Sequence, residues 1–266
     1  MRITSLASGS KGNACCIESC GRTLLIDCGL SCRELRRRAA AAGIPLDTLE
    51  GVVITHSHDD HICGLAAFHK QFADVPLFAN MMTAESTAWR MKMDEADFVP
   101  FENGQTFKVG PFDISPFSIP HDTSDPVGCM VRAEGVSYFH GTDIGTPLDS
   151  IGLHLAEADV ATLESNHDPV MLRTSGRPPC LVQRIAGPRG HLSNDQACEL
   201  VKRFASPRLS RLALGHLSAE CNAPHLAERA MRTALDGIGR EDVPLLVLRQ
   251  DAPVEIFAGC SGAGRP

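Results

Sequence analysis

Between Thr55 and His61 the chain reads Thr-His-Ser-His-Asp-Asp-His, which sets His56, His58 and His61 beside Asp59 and Asp60. Imidazole nitrogen and carboxylate oxygen are good ligands for zinc and other divalent first-row metals. A loop at a strand end turns alternate residues toward one point, so His56 and His58 can share one ion. Asp60 and His61, at the start of the next helix, can face a second. Two ions roughly 3.5–4 Å apart can share a bridging water, lower its pKa and hold the oxygens of an in-line displacement. Asp60 is then placed to orient that water. A merely decorative polar turn is disfavoured, because such crowding of ionisable groups is repulsive unless something positive neutralises it.

One loop provides too few ligands for two ions, so isolated His and Asp residues should recur at later strand ends. His121 follows the apolar run Phe112–Ile119, Asp143 follows Tyr138–His140, and His216 follows Arg211–Leu214. In this reading His56, His58 and His121 complete one metal, Asp60, His61 and His216 the other, and Asp143 bridges. The implied cofactors are two divalent metal ions, zinc or manganese, with iron also compatible.

The elements that must position these residues follow from apolar periodicity and from Gly/Pro punctuation. Short strands are predicted at Ile3–Leu6, Cys15–Glu18 and Thr23–Asp27, a helix at about Cys32 to Ala42, and a buried strand at Gly51–Thr55. Ser31 with Glu34 predicts a capping box for that helix. Helices are expected at Ile62–Phe72 and Met82–Met93 with a short strand, Pro76–Ala79, between them. Thr106–Val109, Phe112–Ile119, Gly128–Ala133 and Val136–Phe139 read as an antiparallel meander. Beyond it come helices near Leu148–Ala156, Pro178–Ile185, Asn194–Phe204 and His225–Leu235, and strands at Val160–Leu163, Arg211–Leu214 and Leu245–Leu248. Two successive strand-then-helix halves predict two mixed sheets packed face to face with helices outside, an α+β fold in a single domain over residues 1–266.

The chain has 266 residues, 43% of them hydrophobic, and a formal net charge of −7. That balance argues against coating nucleic acid through a global basic field and leaves room for a local basic channel. Four arginines lie between Arg33 and Arg38, read as a solvated helix face. A second scatter, Arg173, Arg177, Arg184 and Arg189, surrounds a Pro-rich loop. Eleven cysteines without a paired C-x-x-C pattern are expected to be reduced and mostly buried. The first residues lack a long apolar stretch, so the expectation is a cytoplasmic protein without membrane attachment, with a homo-oligomer left open.

The order H-x-H-x-D-H, later His, later Asp, final His resembles the metallo-β-lactamase superfamily along almost the whole chain. The resemblance implies that family's four-layer αββα sandwich. Ser5-Leu6-Ala7-Ser8-Gly9-Ser10-Lys11-Gly12-Asn13, Glu164-Ser165-Asn166-His167-Asp168 and Gly190-His191-Leu192-Ser193-Asn194 are similar to its YycJ (WalJ) branch, over Met1 to about Asn222. Members of that branch are metal-dependent exonucleases acting from DNA 5′ ends, and the ligand pattern is similar to ribonuclease Z and the cyclic phosphodiesterase PhnP. The implied function is a metal-dependent phosphodiester hydrolase, a DNA 5′-3′ exonuclease using a two-metal-activated hydroxide.

By the same resemblance His191 contacts the scissile phosphate or protonates the leaving oxygen. A histidine at a helix N-terminus suits an anionic group, and a positioned general acid contributes roughly 10²–10⁴-fold. His167 is expected to bind substrate, or to support Asp143 or Glu164 by hydrogen bonds. Ser8 and Asn13 lie in a Gly-rich turn that forms either an anion nest for substrate or a plain tight turn. His69, His140, His154 and His225 are assigned to core or surface. Trp89 and Tyr138 are the only Trp and Tyr, so base stacking has few platforms and phosphate contact has to dominate. The competing readings are a thioesterase or lactonase of the glyoxalase II type, against which Gly190–Asn194 argues, and a non-catalytic scaffold, against which the intact ligand set argues. A flavodiiron reductase would want Glu in place of His58 and a flavin domain.

Overall fold

A strand that is apolar on both faces has to be covered twice, and the central strands here are of that kind. Val52 and Ile54 enter one core while Val53, between them, enters another. Leu212 and Leu214 likewise enter one core and Ala213 another. The protein is described by a computed structural model over residues 1–259. The part of the single-domain expectation that falls on residues 260–266 lies outside the described residues.

Among the described residues fourteen strands form two seven-stranded sheets. The first sheet runs β14(Val254–Ala258), β1(Arg2–Ala7), β2(Ala14–Ser19), β3(Arg22–Ile26), β4(Leu49–Val53), β5(Leu77–Ala79), β6(Phe98–Pro100). The second runs β13(Leu245–Val247), β12(Arg211–Gly215), β11(Val160–Glu164), β10(Val136–Gly141), β9(Val127–Ala133), β8(Phe112–Ser118), β7(Phe107–Val109). Each sheet is half meander and half crossover. β14 to β3 pair antiparallel and β3 to β6 parallel; β13 to β10 pair parallel and β10 to β7 antiparallel.

The core between the sheets contains Ile3, Ile17, Ile26 and Val53 from the first and Phe112, Ile114, Val131 and Tyr138 from the second. The outer face of the first sheet is covered by α1(Cys32–Ala41), α3(Leu65–Gln71) and α4(Met81–Met91) through Leu35, Phe68 and Ala88. The outer face of the second is covered by α5(Asp149–Ala156), α8(Asn194–Phe204) and α9(Pro224–Asp236) through Leu155, Leu200 and Met231. The layers are therefore α, β, β, α, as expected. Short α2(Asp59–Ile62), α6(Pro169–Arg173) and α7(Pro179–Ala186) lie in the connections. Full burial of one such aliphatic or aromatic side chain is worth about 1.5–3 kcal/mol, so these three cores decide the arrangement.

Several local expectations are corrected. The helix expected at 62–72 starts only at Leu65, as α3, and Ile62 instead closes α2, because the chain between them touches residues 28–30: a Cβ on Gly64 would stand 1.8 Å from the Leu30 carbonyl oxygen. Only half of the capping box forms. Ser31 accepts from the Glu34 N–H, while the Glu34 carboxylate turns to Arg37 and Arg38. The arginine run is not a uniformly solvated face, since Arg38 is buried and donates to the carbonyls of Leu6 and Gln250. β6 and β14 have no counterpart in the sequence reading. Both are edge strands of three and five residues, too short for alternation to declare itself.

Candidate metal centre

The strands β4, β10, β11 and β12 end at one edge of the sandwich: Glu164 is the last residue of β11, and the segments that follow the other three carry His56 to His61, Asp143 and His216. Loops at the carboxyl ends of parallel strands are where open α/β sheets place ligands. Three non-glycine residues just past the ends of β3, β10 and β12 hold a left-handed backbone: Asp27 (φ 60°), Asp143 (φ 62°) and His216 (φ 54°). Each such conformation costs of order 1–3 kcal/mol and persists where its surroundings over-determine it. His216 shows how: its N–H donates to Ser8 Oγ at 2.7 Å and its carbonyl accepts from Asn166 Nδ2 at 2.8 Å.

The structure brings all seven expected ligands together. His56, His58 and His121 form one triad with converging ligand atoms, and Asp60, His61 and His216 form another. His121 Nε2 is 3.2 Å from His58 Nδ1, and His216 Nε2 is 3.2 Å from Asp60 Oδ2. Asp143 stands between the triads, with Oδ1 3.6 Å from both His121 Nε2 and His216 Nε2 and Oδ2 3.2 Å from His61 Nε2. Ligand atoms set tetrahedrally at about 2.0–2.1 Å from an ion stand about 3.3 Å apart, so these separations suit shared cations. Two buried atoms strengthen the fit: His56 Nε2 and Asp143 Oδ2 have no hydrogen-bond partner among the described residues, and burying such groups unpaired is costly. The cluster fits a dinuclear metal site.

A surrounding set of groups orients the rings, as metal-binding histidines require. Asp27 is buried and accepts from His61 Nδ1 at 2.7 Å and from the Thr55 N–H at 2.9 Å. His121 Nδ1 donates to the Gly190 carbonyl at 2.9 Å. Glu164, fully buried, accepts from His191 Nδ1 at 2.8 Å and His216 Nδ1 at 3.1 Å on one oxygen. Its other oxygen accepts from the N–H groups of Ile144 and Leu192. Neither Asp27 nor Glu164 was assigned this role from sequence. The available signal was a carboxylate ending an apolar strand, Thr23–Asp27 and Val160–Glu164.

The electrostatics ask for positive charge. Burial pushes the His216 imidazole toward neutrality, but Asp143, Asp60 and Glu164 outweigh it and hold its pKa at about 10. Burial likewise opposes charge on His61, and Asp27, Asp143 and Asp60 still raise it well above the ordinary histidine value. For His56 burial and the neighbouring His61 prevail over the opposing pull of Asp143 and hold its pKa well below the ordinary histidine value.

The other expected site residues fall in three groups. His191 lines the cleft with His58, Asp60, Asp143 and His216. Its Nδ1 is committed to Glu164, its ring stacks on His216 at 5.2 Å, and Nε2 has no protein partner among the described residues. Ser8 and Asn13 do not form an open nest. The N–H groups of Ser8, Gly9, Lys11, Gly12 and Asn13 are spent on Arg249, Asn13, Gln250, Gly9 and Asp60. Asn13 is buried, with Nδ2 3.2 Å from Asp60 Oδ2 and 3.0 Å from His61 Nε2, so its amide packs directly against the converging atoms of the second triad. His167 is buried too; its backbone bridges Ser193, and no hydrogen bond joins its ring to Asp143 or Glu164 among the described residues, against the supporting role expected. His140 sits in the core on Tyr138, as expected.

An αββα sandwich with a dinuclear-type His/Asp cluster at one edge defines a metal-dependent hydrolase of the metallo-β-lactamase fold. The family model described as the beta-lactamase superfamily domain matches residues 22–216, and the chain belongs to that family. In sequence it is similar to exodeoxyribonuclease WalJ of Streptococcus pneumoniae serotype 2, strain D39, at 34% identity over 233 residues and 86% of each chain. It is also similar to exodeoxyribonuclease YycJ of Bacillus anthracis, at 28% identity over 242 residues and 90% of each chain. In fold it is similar to zinc-bound PqqB from Methylobacterium extorquens, with a TM-score of 0.71 at 16% identity, covering 96% of this chain and 100% of that one. No helix among the described residues is long and apolar enough to cross a membrane.

Proposed function

We propose that this chain is a two-metal phosphodiesterase that removes nucleotides from DNA ends in the 5′-to-3′ direction. The observation that carries the proposal is His191, anchored by Glu164 through Nδ1 and lining the cleft beside both triads. Similarity to WalJ and YycJ supports DNA as the substrate. His56, His58 and His121 would hold one ion and Asp60, His61 and His216 the other, with Asp143 between them. When bound, the ions supply acidified water and neutralise charge on the phosphoryl oxygens. Zinc or manganese suits this donor set, and iron is compatible.

Within that frame Asp60 orients the attacking water through its carboxylate. His191 contacts the phosphate or passes a proton from Nε2 to the leaving oxygen, while Glu164 keeps Nδ1 protonated and the ring fixed. An intracellular setting is supported by the ten described cysteines, all free of disulfides.

The test offers the metal-loaded protein a duplex labelled at its 5′ or 3′ end, bis-p-nitrophenyl phosphate and S-lactoylglutathione. Release from 5′ ends together with bis-p-nitrophenyl phosphate cleavage is expected; cleavage of the thioester alone refutes the reading. His191→Ala should keep its metals and lose roughly 10²–10⁴-fold in phosphodiesterase rate. Metal loss in that variant would make His191 a ligand instead.

A further inference from the structure

The cleft that holds His58, Asp60, Asp143, His191 and His216 is also lined by Arg90 and Arg184, the only Lys or Arg side chains on it among the described residues. They come from opposite halves of the sandwich: Arg90 lies on α4, above the first sheet, and Arg184 on α7, between strands of the second. Each is steered by a carboxylate next in sequence to a member of the metal cluster. Arg90 Nη2 donates to Asp59 Oδ1 at 2.7 Å, beside Asp60; Arg184 Nε donates to Asp122 Oδ2, beside His121.

Those single contacts leave most of each guanidinium unused. Arg90 Nε and Nη1, and both Nη groups of Arg184, have no protein partner among the described residues, and the side chains are 34% and 61% exposed. A guanidinium has five donors in a planar fork that matches phosphate oxygens. An ion pair at a surface of this exposure contributes little to stability, so holding two such forks over one cleft is poorly explained by stability alone. Few aromatic platforms are present, which leaves phosphate contact to carry nucleic-acid affinity.

We infer that Arg90 and Arg184 form a two-sided phosphate clamp at the mouth of the metal site, gripping backbone phosphates of a nucleic-acid strand on either side of the bond to be cut. The inference rests on the phosphodiesterase reading for its substrate class. The clamp makes the arginines positioning residues: they seat the strand, while the histidine and aspartate cluster acts on it.

The test is equilibrium binding of a short, fluorescein-labelled, phosphorothioate-linked single strand to the metal-loaded protein, followed by anisotropy between about 50 and 200 mM salt. The wild type is compared with Arg90→Gln, Arg184→Gln, the double variant and the two Arg→Lys variants, with bound metal counted in each. Each Gln change should weaken binding at low salt by about fivefold and flatten the slope of log affinity against log salt by about 0.7. The Lys variants should recover the slope, because they keep the charge. Inorganic phosphate should compete only at much higher concentration than the strand.

Unaltered affinity and slope in the double variant would overturn the clamp. So would a loss of affinity that tracks loss of metal, because the arginines would then act through Asp59 and Asp122 on the ligand loops. Binding by the wild type without cleavage of the unmodified strand would fail the phosphodiesterase reading alone, and the slopes would still decide the clamp.

Discussion

Replacing Glu164 with glutamine keeps the size of the side chain and removes its charge. Four donors converge on that carboxylate: His191 Nδ1 at 2.8 Å, His216 Nδ1 at 3.1 Å, the Ile144 N–H at 2.8 Å and the Leu192 N–H at 3.0 Å. An amide has one acceptor oxygen, so whichever way the glutamine turns, one pair of donors meets an NH2 group. With the oxygen toward the histidines, two backbone N–H groups are orphaned beside a residue that is 0% exposed. At about 1–3 kcal/mol for each, the loss is about 2–6 kcal/mol. A second route gives a similar figure. Burial works to raise the Glu164 pKa, yet the charge on His191 and the hydrogen bonds from His191 and His216 prevail and hold it at about 2. Against an ordinary value near 4.3, that is worth about 3 kcal/mol in favour of the ionised, folded form. Because the folded-state value is depressed, this contribution is present above the unfolded value and is lost as pH falls toward 2. Urea unfolding of the metal-free proteins near neutral pH should therefore show a deficit of about 3 kcal/mol at an unchanged m-value. Competition with a chromogenic chelator should show about 10–100-fold weaker metal binding, since His216 loses its anchor. A deficit under about 1 kcal/mol with unaltered metal affinity would refute the reasoning.

Two further outcomes test the scaffold behind the site. In Gly29→Ala the new Cβ would stand 1.7 Å from the Asp60 carbonyl oxygen and 2.7 Å from the Asn13 nitrogen, both backbone atoms, so the ligand loop has to move. Calorimetric zinc titration should show at least about tenfold weaker binding; wild-type binding would mean the close approach is dispensable. Arg38→Met strands the Leu6 and Gln250 carbonyls, and should cost about 2–6 kcal/mol in urea unfolding. Arg33→Met, on the exposed side of the same helix, should stay within about 0.5 kcal/mol.

The seven converging donors were legible because each either crowds into the 56–61 segment or ends an apolar run, and strand ends are where a sandwich gathers its loops. The supporting groups were not, because their meaning lies in pairings across long stretches of chain. Glu164 contacts histidines 27 and 52 residues away. Asn13 looked open because glycine-rich sequence shows that a turn exists without showing what its N–H groups bind. Arg38 could have been separated from Arg33 by helical phase, since it shares a buried face with Leu35 and Ala39. β14 closes the sheet against β1 from the far end of the chain, a pairing no local pattern announces.

His56, His58, Asp60 and His61 hang from the first sheet, and His121, Asp143 and His216 from the second. Neither half displays a full set, so tight ion capture requires the two sheets to be docked in register. Ion affinity is thereby a gauge of how well the halves are seated, and by linkage the ion returns the same free energy as a brace across the inter-sheet core. Loosening Phe112 or Ile114, which line that core but do not belong to the cluster, would surface first as leakage of metal.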